Sequence, residues 1–145
     1  MLTTTVMKRA GFSDTDIRGI LVGNLRVDLP WNQSNNPEHY MPGTGLVAEK
    51  IIEQRLNEAI QREIQGDRRG AMEALGGGLH TLQDKWAHQM QNAGWKQHNW
   101  LDKRNYADPD EPSKHPKEYA SALRESQDYV RRFLAQSGSR AMCPR

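Results

Sequence analysis

The 145-residue chain reads as all-α, a single compact helical bundle around one central metal-binding helix. Three observations carry that expectation. Apolar residues recur at three- and four-residue spacing over several stretches, as on amphipathic helices. No stretch shows the two-residue alternation of a strand, and no repeat or low-complexity segment is present. One stretch, ALGGGLHTLQDKWAH from Ala74 to His88, carries two stripes at once. Leu75, Leu79, Leu82 and Trp86 form an apolar stripe, and His80, Asp84 and His88 a polar one roughly opposite. A helix occupied on both sides belongs in the middle of a bundle.

The elements follow in order. Thr3 to Ala10 makes a short helix, stopped by Gly11. Ser13 is an N-cap with Asp16 three residues on, opening a helix whose stripe is Ile17, Ile20, Leu21 and Leu25. Asp28 to Gly43 holds three prolines and several asparagines, so it is a loop. Thr44 caps a helix whose apolar positions Ala48, Ile52, Leu56, Ala59, Ile60 and Ile64 keep a helical period, and Gly66 ends it. Asp67 caps the central helix directly after, so these two helices should pack as an antiparallel hairpin. The run Gly76-Gly77-Gly78 costs about 1 kcal/mol per glycine relative to alanine. Such a run implies that another backbone or a ligand comes very close. Gly94 to Pro112 is irregular. The last helix starts at Pro116, with His115 as N-cap and Glu118 in its first turn. Its stripe is Tyr119, Leu123, Val130, Phe133 and Leu134, and it closes at Gly138, leaving residues 137–145 as a flexible tail.

Composition bounds the function. At 36% hydrophobic, with a mean hydropathy of −0.88, the core is lean for one domain spanning residues 1–145, and metal crosslinks would help it hold. A net charge of +2 is too mild to argue for nucleic acid by itself, and Arg68–Arg69 and Arg131–Arg132 read as solvated helix surface. No apolar run approaches the ~20 residues of a membrane span, and MLTTTVMKRAGF contains no signal-peptide core. The expected location is therefore intracellular, or outside by a non-classical export route. Cys143 is the one cysteine, so no internal disulfide is possible.

The polar stripe is the chemical signal. His80, Asp84 and His88 stand at i, i+4 and i+8, and each step of four advances only about 40° around a helix. Imidazole and carboxylate together are ligands for zinc and similar divalent ions. A polar face with a buried hydrogen-bond network is the alternative for the same three residues. Asp28 and His39 flank the long loop, which brings them to the mouth of the bundle. His98 and Asp102 repeat the four-residue His-to-acid spacing, with a solvated loop as their alternative.

The run ALGGGLHTLQDKWAHQ resembles the central metal-binding helix of the zinc-dependent phospholipase C and single-strand nuclease superfamily. It is especially similar to the short LHTLQDxxAH form of fungal heterokaryon-incompatibility proteins and bacterial toxin domains. KRAGFSDTDIRGILVGNLRVDLPW followed by EHYMPGTG resembles the same group, which places an Asp and then a His ahead of the central helix. The resemblance implies that Asp28, His39, His80 and Asp84 bind one zinc, and that His88, His98 and Asp102 bind a second. The family's third zinc uses an N-terminal Trp and a nearby His; this chain begins with Met1 and has no early histidine, so two ions are expected.

Such a site would be a phosphodiester hydrolase. Two divalent ions about 3.5–4 Å apart clamp phosphoryl oxygens and lower the pKa of bound water from about 15.7 toward 7. Asp84, between His80 and His88, is the natural bridge, and Asp28 is a ligand that can double as base. The substrate stays open between phospholipid, which the resemblance favours slightly, and single-stranded nucleic acid. Trp95 and Trp100 suit either stacking on a base or dipping into lipid, whereas Trp86 belongs to the core. A toxin or effector role, and a non-catalytic metal-stapled binding module, complete the expectations.

Overall fold

In the computed structural model, residues 2–29, 37–41, 43–89 and 115–139 are described, residues 88 and 89 by backbone alone. Five helices and no strand occur among them: α1 (Leu2–Arg9), α2 (Asp14–Val27), α3 (Gly45–Ile64), α4 (Arg68–Asp84) and α5 (Pro116–Ser137). A 3-10 turn, Pro37–His39, precedes α3, and a π-helical turn, Lys85–Gln89, continues α4. The all-α expectation holds. None of the described helices is long and apolar enough to cross a membrane.

Local chemistry sets most of the boundaries. Ser13 Oγ accepts from the Asp16 amide at 3.2 Å, and Asp67 from the Gly70 amide at 2.9 Å, each satisfying a donor left open at a helix start. Gly66 turns the chain from α3 into α4 at φ 83°, and Gly138 ends α5 at φ 66°, both in the left-handed region. Thr44 departs from expectation: its hydroxyl donates to the Met41 carbonyl at 2.7 Å and does not cap α3. His115 holds the N-cap position of α5 but makes no side-chain cap.

Helix α4 is the centre, packing against α2, α3 and α5. Its direction relative to each follows from paired residues. Asp16 meets Arg68, Ile20 meets Gly76 and Asp28 meets His80, so α2 runs parallel to α4. Glu63 meets Arg68 while Arg55 lies beside Gly77 and Gly78, so α3 runs antiparallel, as the hairpin expectation required. Helix α5 is antiparallel too, with Ser126 at Gln83 and Tyr129 at Gly78.

Glycines make the close approach possible. A Cβ on Gly76 would overlap the Ile20 carbonyl, one on Gly23 the Glu73 carbonyl, and one on Gly78 the Tyr129 hydroxyl. The glycine run therefore admits both a backbone and a side chain. Around it a core of Val6, Met7, Ile20, Leu56, Met72, Leu75, Leu79, Val130 and Phe133 is almost fully buried. Leu25 lies outside that core at 56% exposure, because the face of α2 that meets α4 is the Gly19–Ile20–Gly23 side.

Candidate metal centre

Parallel packing of α2 and α4 carries both C-terminal ends to one end of the bundle. Asp28 is the C-cap of α2, where the last carbonyls add partial negative charge. His80 and Asp84 stand one turn apart near the end of α4. His39 closes the 3-10 turn that leads into α3, which starts at the same end. Four ligand-type side chains from three separate segments thus come to this end of the bundle.

His80 Nε2 lies 3.0 Å from Asp84 Oδ2, 3.3 Å from His39 Nδ1 and 3.5 Å from Asp28 Oδ1. His39 Nδ1 is 3.2 Å from the same Asp84 oxygen. One ligand atom each from Asp28, His39 and His80 lies within 4.8 Å of the other two, and this group could hold a metal ion. Both imidazoles are buried, at 9% and 8% side-chain exposure, and Asp84 is at 15%. Asp28, at 51%, is the side open to solvent.

The contacts around Asp84 Oδ2 have a consequence for protons. A ring nitrogen offers one N–H or one lone pair. In a triangle of His39 Nδ1, His80 Nε2 and a carboxylate oxygen, every tautomer sets two donors or two acceptors against each other along at least one edge. A cation inside the triangle lets all three lone pairs point inward, which removes the conflict. The His39 edge has a further mark: its Nε2 is buried without a hydrogen-bond partner among the described residues.

The remaining expected ligands fall differently. His88 lies in the π turn, so the four-residue step from Asp84 no longer follows the α-helical rotation assumed for a continuous stripe. His98 and Asp102 lie outside the described residues, as do Trp95 and Trp100. Trp86 is half-buried rather than core, with its Nε1 buried and without a partner among the described residues, and Lys85 Nζ lies 5.8 Å from its ring centroid. Arg68 is not plain surface. It donates from Nε and Nη2 to Asp16 at 2.9 Å each and reaches Glu63 at 2.7 Å. Arg132 likewise holds both oxygens of Glu53.

No protein-family model, curated protein or solved structure matches this chain. The likeness to zinc-dependent phospholipases C stands on its motif residues alone.

Sequence reasoning missed the groups beside the cluster. Tyr40 follows His39 directly and is the one non-glycine residue at positive φ, 48°, among the described residues. For a bulky side chain that conformation costs about 1–3 kcal/mol and persists only where the surroundings enforce it. Here the residue is 4% exposed, and the hydroxyl donates to Glu49 Oε1 at 2.6 Å. Burial, then the Glu49 carboxylate, push the phenol far up, so it remains a donor. Lys85 follows Asp84 directly and sits 3.2 Å from Glu49 Oε1 and 3.3 Å from Glu125 Oε2. Burial alone would lower its pKa, but the hydrogen bond to Glu49 and the charge of Glu125 more than offset that and raise it. No spacing rule marks such a network, because its members are joined only in the fold.

Proposed function

We propose that the chain is a zinc-dependent phosphodiester hydrolase of phospholipase C type, acting as a toxin or effector domain. The observation that carries this is the group of Asp28, His39 and His80, whose ligand atoms lie within 4.8 Å of one another, with Asp84 Oδ2 against both imidazoles. Four ligand atoms about 2.0–2.1 Å from a tetrahedral zinc stand about 3.3–3.4 Å apart. His80 Nε2, His39 Nδ1 and Asp84 Oδ2 stand 3.0, 3.2 and 3.3 Å apart, near that spacing, and Asp28 Oδ1 is 3.5 Å from His80 Nε2. In this proposal His39 and His80 are the buried nitrogen ligands, Asp84 ties them together, and Asp28 closes the site on its solvent side. A divalent ion held by these residues would supply Lewis acidity toward a phosphodiester oxygen and would acidify a water. Asp28, half-exposed at the mouth, is the group placed to take a proton from an incoming water. A second zinc, held by His88, His98 and Asp102, belongs to the same proposal and rests on the resemblance.

Burial of both histidines favours a second reading, a zinc that only staples α2, α4 and the His39 turn together. Incubation with phosphatidylcholine vesicles and with circular single-stranded DNA, with zinc and with chelator, separates the possibilities. Zinc-dependent release of phosphorylated head group supports the phospholipase, and nicked strands support a nuclease. Bound zinc with neither product leaves the staple.

A further inference from the structure

The cluster is flanked by a second constellation that contributes no candidate ligand. Glu49 Oε1 accepts the Tyr40 hydroxyl at 2.6 Å and meets Lys85 Nζ at 3.2 Å. Tyr40 is the residue after His39, and Lys85 is the residue after Asp84. One carboxylate oxygen on α3 therefore joins the chain neighbours of two candidate ligands from different segments. Glu125 on α5 holds the other side of the Lys85 ammonium at 3.3 Å. With two carboxylates around it, Lys85 brings no uncompensated positive charge to the residue next to Asp84.

We infer that Tyr40, Glu49 and Lys85 are positioning residues that set the aim of His39 and Asp84 toward a cation. This rests on the metal reading of the cluster. Tyr40 turns through the left-handed region, at φ 48°, where a tyrosine does not settle by itself. What holds it there is the buried ring and the hydrogen bond to Glu49. The imidazole one residue earlier takes its direction from that turn. On the other side, Lys85 begins the π turn, and its two ion pairs fix where α4 stops being α-helical. Asp84 is the last α-helical residue before that change. Loosening either anchor leaves both ligands present but lets their atoms spread.

A control exists in the same molecule. Glu53 and Arg132 form a bidentate pair, at 2.8 and 2.6 Å, that also links α3 to α5 yet adjoins no candidate ligand in sequence. The test measures zinc affinity by competition with a chromogenic chelator for the full chain and for Tyr40→Phe, Glu49→Gln and Glu53→Gln. The melting temperature of each is also measured in chelator. Removing a group that orients a ligand typically weakens metal binding 10- to 100-fold. Tyr40→Phe and Glu49→Gln should each lose affinity by about that factor, while their metal-free melting temperatures fall no further than that of Glu53→Gln. Glu53→Gln itself should bind zinc as the unaltered chain does. Equal affinity in all four proteins overturns the positioning role and leaves the metal reading intact. So does an affinity loss in Glu53→Gln equal to the others, which would reduce the effect to general stability. If the unaltered chain binds no zinc, the metal reading fails and takes this inference with it.

Discussion

At the scale of single residues, Asp84 is the side chain on which the cluster turns, since one of its oxygens meets both imidazoles. Asp84→Asn keeps the size but replaces one acceptor oxygen by a donor and removes the charge. Bound zinc should fall by at least one ion per chain and phosphodiester hydrolysis by orders of magnitude. Asp128→Asn, on an exposed pair with Arg131, is the control and should leave both unchanged. Equal losses in the two variants, read by elemental analysis and product release, would sink the special role of Asp84. Arg68 carries a second residue-scale prediction. Its bidentate hold on Asp16 keeps that carboxyl below its ordinary value of 3.8. A depressed folded-state pKa contributes stability above the unfolded value and loses it as pH falls through the folded one. Asp16→Asn should therefore cost about 1–2 kcal/mol at pH 7. The gap from the unaltered chain should close below about pH 4 in urea melts at stepped pH. A gap that persists in acid would assign the effect to packing instead. Asp16 and Arg68 stand 52 positions apart, which is why an arginine doublet reads as surface when charge pattern is the only guide.

At the scale of elements, the packing of α2 on α4 depends on glycine in a way that distinguishes neighbouring positions. Gly76→Ala drives a methyl into the Ile20 carbonyl, and backbone there cannot swing aside. A loss upwards of about 3 kcal/mol is expected. Gly77→Ala meets nothing nearer than Arg55 Nε at 3.6 Å. It should be neutral or stabilising by up to about 1 kcal/mol through helix propensity. Thermal melts of the two proteins decide this, and a reversed ranking would mean the helices cross elsewhere. The close approach was legible in the sequence, since three glycines in a helix call for a neighbour. Which glycine meets which neighbour was not, because that depends on the register of two helices some fifty residues apart. His80 and Asp84 were legible for the same reason as the glycines: both lie on a regular helix whose period fixes their common face. The π turn was not, because widening one turn leaves no mark in composition or spacing. Its effect falls on His88, one step beyond the regular part. Tyr40 was equally hidden, since nothing about a tyrosine announces a left-handed backbone.

For the molecule as a whole, architecture and chemistry meet at one end of the bundle. Parallel α2 and α4 deliver Asp28, His80 and Asp84 there, and the turn before α3 delivers His39. A cation at that point would tie α2, α4 and the turn before α3 together. The expected consequence is a strong dependence of folding on metal. With free zinc about a thousandfold above its dissociation constant, binding adds about 4 kcal/mol of stability. For a chain of this length that corresponds to roughly 10 °C or more in Tm. The most direct test is therefore a paired measurement on protein purified without chelator: zinc per chain by elemental analysis, and Tm before and after chelation. The expected result is at least one zinc per chain, a fall in Tm on chelation that added zinc reverses, and loss of both signals in His80→Ala. A chain that carries no metal and melts at the same temperature with and without chelator would contradict it.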